Sequence, residues 1–198
     1  MLVHLVRHGE VENPSHLVYA NLPGFRLSDV GVAQADAAAT HLADHRVSRI
    51  VTSPLDRAVA TATAIARRHH ADVTTDKRLT EWRLGTRWAG VSWDDLQEEF
   101  PGELEAYLSH PSRLPFSPES LQQMAERVAG AIVEVAEQSP DGDVIFVSHQ
   151  DPIHAAFRLL TGSGFENYHD NKPEHCSVST LEPLNGTWAM VRQWAPVQ

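Results

Sequence analysis

Short apolar runs alternate along the chain with longer segments in which apolar positions recur every three or four residues. Residues 2–6, 49–52, 72–75 and 143–147 read as strands. The last of these, DVIFV, is apolar on both faces, as a strand buried in a parallel sheet would be. Helices are expected between them. Ser28 is placed to cap one over about residues 30–44. Ser53, followed by Pro54 and then by Asp56 in a capping-box-like pattern, opens another over residues 55–70. Ser117-Pro118 opens a third, to about residue 138, and Asp151-Pro152 a fourth, to about residue 161. Residues 76–116 are mixed in pattern, with short helices expected near 93–100 and 103–109. Asp141-Gly142 reads as a turn. Residues 177–182 and 187–194 read as two β segments joined through Leu184-Asn185-Gly186, where Asn-Gly is a strong hairpin signal. Strands alternating with helices indicate an α/β domain with a mostly parallel sheet, whose ligands bind at the carboxyl ends of the strands.

Composition narrows this picture. A chain of 198 residues with 42% hydrophobic content suits one domain with a sizeable core. The net charge of −10 argues against a nucleic-acid partner and requires a local cationic pocket for any anionic substrate. No run of about 18 apolar residues is present to span a membrane. No charged segment followed by an apolar run precedes the first strand, so no signal peptide and a cytoplasmic location are expected. The single cysteine, Cys176, forms no internal disulfide and no CxxC zinc pair, and is expected to be an inert packing residue.

The residues just past the strands carry the chemistry. Arg7 and His8 follow the first strand. Ser53, Pro54 and, one turn into the helix, Arg57 follow the second. Ser148, His149 and Gln150 follow DVIFV. Arginine at a helix N-terminus opposes the helix dipole, which makes sense where an anion sits nearby. Two guanidinium forks match phosphoryl oxygens. A neutral histidine nitrogen is a competent phosphoryl acceptor, and an adjacent guanidinium disfavours imidazolium, so Arg7 would keep His8 nucleophilic. Adjacent strand residues point to opposite faces, so both reach one pocket only if the chain bends, a freedom expected of Gly9. Glu81, between Thr80 and Trp82 with Trp88 nearby, is the candidate proton donor to a leaving alkoxide, its pKa raised by an apolar setting.

These residues fall in a longer ordered pattern: R-H-G-E at residues 7–10, L-P-G-F-R-L-S at 22–28 and G-x-A-Q-A at 31–35. S-P-L-x-R-A-x-x-T-A follows at 53–62, then L-x-E at 79–81, Gly85, Trp88-Ala89-Gly90, and V-S-H at 147–149. The set resembles the histidine phosphatase superfamily, the phosphoglycerate mutase-like group, and spans about three-quarters of the chain. The resemblance implies a three-layer α/β/α sandwich and a reaction that needs no metal and no cofactor. It implies His8 as the nucleophile that forms a phosphohistidine, with Arg7, Arg57 and His149 on the phosphoryl oxygens. Glu81 would be the acid that protonates the leaving group and then the base that activates water. The partner would be a small phosphorylated metabolite.

This sequence departs from the family pattern at four places. Val11 replaces a frequent Ser or Thr. The usual asparagine position holds Pro14, with Asn13 before it as the candidate replacement in phosphate binding. Gln150 replaces the glycine of S-H-G, and its backbone N–H remains available to phosphate. Ala89 replaces the glutamate of W-E-G. Three activities stand open: phosphomonoester hydrolysis, a mutase-type phosphotransfer back to substrate, and phosphate binding without catalysis. The short chain favours hydrolysis, because the family's mutases carry extra segments around the site. The ester itself is open among sugar phosphates, phosphoglycerates, nucleotide-like phosphates and α-ribazole phosphate. The aromatic-rich segment 82–116 is expected to cap the pocket. His69-His70 are expected to be exposed at a helix end, and His154 lacks zinc-motif spacing from His149. His169 and His175 flank a polar loop near which substrate could pass.

Overall fold

The computed structural model describes residues 1–69 and 71–197. Six strands form one sheet in the order β3-β2-β4-β1-β5-β6, with β1 at Val3–Arg7, β2 at Val47–Thr52, β3 at Val73–Thr75, β4 at Asp143–Ser148, β5 at Val178–Leu184 and β6 at Thr187–Trp194. The pairs β1–β4, β2–β4 and β2–β3 are parallel; β1–β5 and β5–β6 are antiparallel. The β5–β6 hairpin turns at Asn185 (φ 48°) and Gly186 (φ 82°), two consecutive left-handed residues that match the twist of the strands they join.

Helices cover both faces, as the three-layer sandwich requires. Val3, Leu5, Val144 and Phe146 pack against α6 (Leu121–Glu137) and α7 (Gln150–Leu160) through Val128, Ile132, Ile153 and Ala156. Val6, Ile50, Ile145 and Val147 pack on the other face against α1 (Asp29–Leu42) and α2 (Asp56–Ala66) through Leu42, Ala58 and Ile65. The buried positions of α6 fall at helical spacing, so the helix lays one apolar stripe along the sheet. Truncating a fully buried member such as Ile132 to Ala costs about 2–5 kcal/mol. A third cluster gathers Trp82, Trp88, Tyr107, Leu121, Met124 and Tyr168 beyond the sheet edge. It includes three short helices, α3 (Leu84–Trp88), α4 (Leu96–Glu99) and α5 (Glu103–Ser109).

Two expected caps are different. The α2 helix starts at Asp56 after Leu55, and the Ser53 hydroxyl accepts from Leu55 N at 3.4 Å and meets His149 Nε2 at 2.8 Å. The α6 helix is capped by Ser120, whose Oγ accepts from Gln123 N while Gln123 Oε1 accepts from Ser120 N. The Ser117 hydroxyl instead donates to Glu119 O. His69 is half-buried rather than exposed, and His70 lies outside the described residues.

Candidate active site

The carboxyl ends of β1, β2 and β4 lie side by side, and a cleft of about 200 Å³ opens beside them. Arg7, His8, Tyr19, Glu81, Gln150 and Asp151 line it, together with the aromatic side chains of Trp82, Trp88, Trp93 and Tyr107. His8 is 1% exposed. Its Nδ1 lies 2.7 Å from Gly9 O, a backbone acceptor, so Nδ1 carries the proton and Nε2 the lone pair. Arg57 Nε donates to that Nε2 at 3.2 Å. Burial, with the charges of Arg57 and Arg7, holds the His8 pKa well below 6.5.

The first motif is locked in place by its own members. Ser28 Oγ donates to Glu10 Oε1 at 2.7 Å, Glu10 N donates to Gln34 Oε1 at 2.9 Å, and Ser28 N donates to Glu10 O at 3.0 Å. Gly9 serves this lock by its size. A Cβ there would lie 2.5 Å from Gly31 O, and one on Gly31 would lie 2.0 Å from Glu10 O. Gly9 has no positive φ, so the expectation that it supplies backbone freedom gives way to close approach of two backbones. Gly9 N donates to Thr61 Oγ1 at 3.1 Å, and Thr61 Oγ1 donates to Arg57 O, which ties β1 to α2 beside the arginine.

Arg57, also 1% exposed, donates Nη2 to Ala20 O at 2.6 Å and lies over the Tyr19 ring at 4.7 Å. Arg7 donates Nη1 to Pro173 O at 2.9 Å, and its Nη2 meets His175 Nε2 at 2.8 Å. Neither guanidinium is ion-paired with a carboxylate among the described residues. His149 Nε2 lies 2.8 Å from Ser53 Oγ, and the His149 ring sits 5.2 Å from that of His8. Arg7 Nε and His149 Nδ1 are buried with no hydrogen-bond partner. Such groups cost about 1–3 kcal/mol each until something satisfies them.

Glu81 is half-buried on the cleft wall, its position set from below. Arg127 on α6 donates to Thr80 O at 3.1 Å and to both carboxylate oxygens of Glu119 at 2.7 and 2.9 Å. Glu119 O in turn accepts from Trp82 Nε1 at 2.8 Å. Burial, with the nearby negative charge of Asp151, raises the Glu81 pKa to about 7. Burial pushes the Asp151 carboxyl up, but Lys172 outweighs it and leaves the group below its ordinary range. Lys172 Nζ donates to Asp151 Oδ1 at 2.6 Å and to Tyr107 OH at 2.8 Å, and Tyr107 OH donates to Asp151 Oδ2 at 3.2 Å.

The structure thus brings together Arg7, His8, Arg57, Glu81, His149 and Gln150. It does not bring in Asn13. That side chain donates to Leu17 O at 2.9 Å and accepts from Leu17 N at 3.0 Å, which spends the amide on closing a loop away from the cleft lining. Gln150 lines the cleft and reaches Pro173 O at 3.4 Å. His175 stands at the site, 5.8 Å ring to ring from His8, whereas His169 is bonded to Tyr107 O. Tyr107 lines the cleft as the aromatic segment 82–116 suggests, whereas sequence reasoning missed Tyr19, Lys172 and the electrostatic place of Asp151, which reads as a helix opener.

Residues 3–195 match the histidine phosphatase superfamily (branch 1). The chain belongs to that family. An uncharacterized protein of Mycobacterium tuberculosis is 35% identical over 188 residues, covering 92% of this chain and 88% of its own. Phosphoserine phosphatase 1 of Hydrogenobacter thermophilus is 30% identical, covering 89% and 84%. A mycobacterial glucosyl-3-phosphoglycerate phosphatase solved with VO3 superposes with a TM-score of 0.85 at 27% identity, covering 96% of both chains. The histidine phosphatase fold and the enzymatic class are therefore shared along nearly the whole chain. Among the described residues, no helix is long and apolar enough to cross a membrane.

Proposed function

We propose that the protein is a metal-independent phosphomonoester phosphatase that works through a phosphohistidine at His8. The observation that carries this reading is the tautomer of His8. Its Nδ1–H is committed to Gly9 O, its Nε2 lone pair accepts from Arg57 Nε, an N–H that turns to a phosphoryl oxygen when the ester enters, and its imidazolium form is suppressed. In the first step His8 Nε2 bonds to phosphorus while the ester P–O bond breaks, and protonated Glu81 gives its proton to the leaving oxygen. In the second step the Glu81 carboxylate takes a proton from water, the water oxygen bonds to phosphorus, and the P–N bond breaks to release inorganic phosphate.

Arg7, Arg57 and His149 hold the charge on the transferred group. The unpartnered Arg7 Nε is a donor that a phosphoryl oxygen would satisfy, and His149 Nδ1 is a second in the tautomer where the Ser53 hydroxyl donates to His149 Nε2. The first amides of α7, which a helix leaves without internal acceptors, begin at Gln150 beside His149 and suit the same anion. Residues 82–116 act as the cap that selects the ester, supported by Trp82, Trp88, Trp93 and Tyr107 on the cleft wall. The substrate class is a small phosphorylated metabolite.

The test is phosphate release from a generic aryl phosphate in excess chelator, with wild type and His8→Ala. Activity that survives chelation and vanishes in the variant supports the reading. Absence of activity in wild type, with isomerisation of a phosphorylated acid once a bisphosphorylated primer is added, would instead support the mutase reading.

A further inference from the structure

A second cluster of chemically competent side chains lies at the opposite edge of the sheet. His4 sits within β1, Asp143 is the first residue of β4, and His45 belongs to the turn between α1 and β2. Asp143 Oδ2 lies 3.0 Å from His45 Nδ1 and 3.6 Å from His4 Nε2. One ligand atom from each of the three residues falls within 4.8 Å of the other two. His4 is 0% exposed, and its Nε2 has no hydrogen-bond partner. A buried imidazole nitrogen left unsatisfied beside a carboxylate oxygen calls for an explanation.

We propose that His4 Nε2, His45 Nδ1 and Asp143 Oδ2 bind a divalent transition cation, with zinc the best fit. Two imidazoles and a carboxylate are a zinc-type donor set and a poor match to the all-oxygen shells of calcium or magnesium. Bonds of about 2.0–2.1 Å at tetrahedral angles put neighbouring ligand atoms about 3.4 Å apart. The two separations to Asp143 Oδ2 bracket that value. The outer contacts that orient ligands are also in place. His4 Nδ1 lies 3.0 Å from Thr180 Oγ1, and Asp143 Oδ1 accepts from Leu2 N at 2.7 Å. His45 and Asp143 have side chains 24% and 15% exposed, which gives the ion a path in and leaves a fourth position to water.

The cation would join β1, β4 and the turn after α1. It lies a strand length from the catalytic histidines, about 16 Å along β4, and no step of the phosphoryl transfer passes through it. The sequence hides the site, because its three ligands sit far apart in the chain and carry no metal-motif spacing.

The test is titration of chelator-treated protein with Zn²⁺, read by calorimetry and by thermal unfolding. Wild type, His45→Gln, Asp143→Asn and His8→Ala are compared. Expected is one zinc per wild-type chain with a raised melting temperature, an affinity loss of at least about ten-fold in His45→Gln and Asp143→Asn, and wild-type binding in His8→Ala. Aryl phosphate hydrolysis by His45→Gln should match wild type. Binding that is absent from wild type, undiminished in both ligand variants, or lost in His8→Ala overturns the proposal. The partly exposed His45 makes His45→Gln the deciding variant should Asp143→Asn not fold.

Discussion

Arg57 donates its Nε–H to His8 Nε2 at 3.2 Å, while His8 Nδ1 meets Gly9 O at 2.7 Å. One hydrogen bond fixes which nitrogen holds the proton, and the other holds the unprotonated nitrogen against a permanent positive charge. The proposed nucleophile and the cation that would draw the phosphate to it are thereby fixed by a single contact between the residue after β1 and the first turn of α2.

Arg57→Lys should therefore lower kcat/KM for phosphate release by about 10²–10³-fold, the usual cost of losing one preorganised donor at a developing charge. Lysine keeps the charge but cannot reach His8, Ala20 O and a phosphoryl oxygen from one planar group. Steady-state kinetics on wild type and variant decide this; a loss under about three-fold would mean that charge alone suffices.

Glu81→Gln separates the role of acid from that of scaffold. For an alkyl phosphate, whose leaving alkoxide needs a proton, the loss should be about 10²–10⁴-fold. For a nitrophenyl phosphate, whose phenolate leaves unaided, phosphoenzyme formation should be far less affected. Burst kinetics with the two esters measure the difference. Equal losses would show that Glu81 only shapes the cleft.

Asp151→Asn tests the electrostatic link. Burial and the Asp151 charge raise Glu81 to about 7, so the alkyl-ester reaction should fall as pH rises through that region and Glu81 loses its proton. Removing the Asp151 charge, and leaving the Lys172 ammonium uncompensated, lowers the Glu81 pKa. The alkaline limb of kcat/KM should then move to lower pH. An unmoved limb would assign it to another group.

Much of this site is legible in the sequence. Arg7, His8, Arg57 and His149 all follow strand ends, and an α/β sheet gathers strand ends on one edge. The Ser120-x-x-Gln123 capping box was equally readable, yet Ser117-Pro118 just before it is the more conspicuous start signal. What the sequence does not display are contacts made across the fold. Ser53 looks like a cap until His149 arrives from β4. Asp151 looks like a helix opener until Lys172, from a polar loop, pairs with it. Asn13 looks like a phosphate ligand until Leu17 occupies both ends of its amide.

Acid should destabilise the fold. His154 and His175 have pKa values lowered by burial to about 4, and His8 and His149 lie well below 6.5. The unfolded chain takes up protons below about 6.5 that the folded chain refuses, so stability falls as pH drops from about 6.5 towards 4. Glu81 acts in the opposite sense between about 7 and 4.5, and is outweighed by these histidines together with His4, which burial also lowers to about 4. Denaturant unfolding across this range should show a falling midpoint; a flat or rising one would contradict the buried neutral histidines.

The most direct test of the chemistry is a rapid acid-free quench of enzyme turning over an aryl phosphate, followed by intact-mass and peptide analysis. Predicted is one phosphoryl adduct per chain on the peptide that contains His8, formed in a burst and absent from His8→Ala, which also fails to turn over. Undiminished turnover by His8→Ala, or an adduct on any other residue, would contradict the assignment of His8 as the nucleophile.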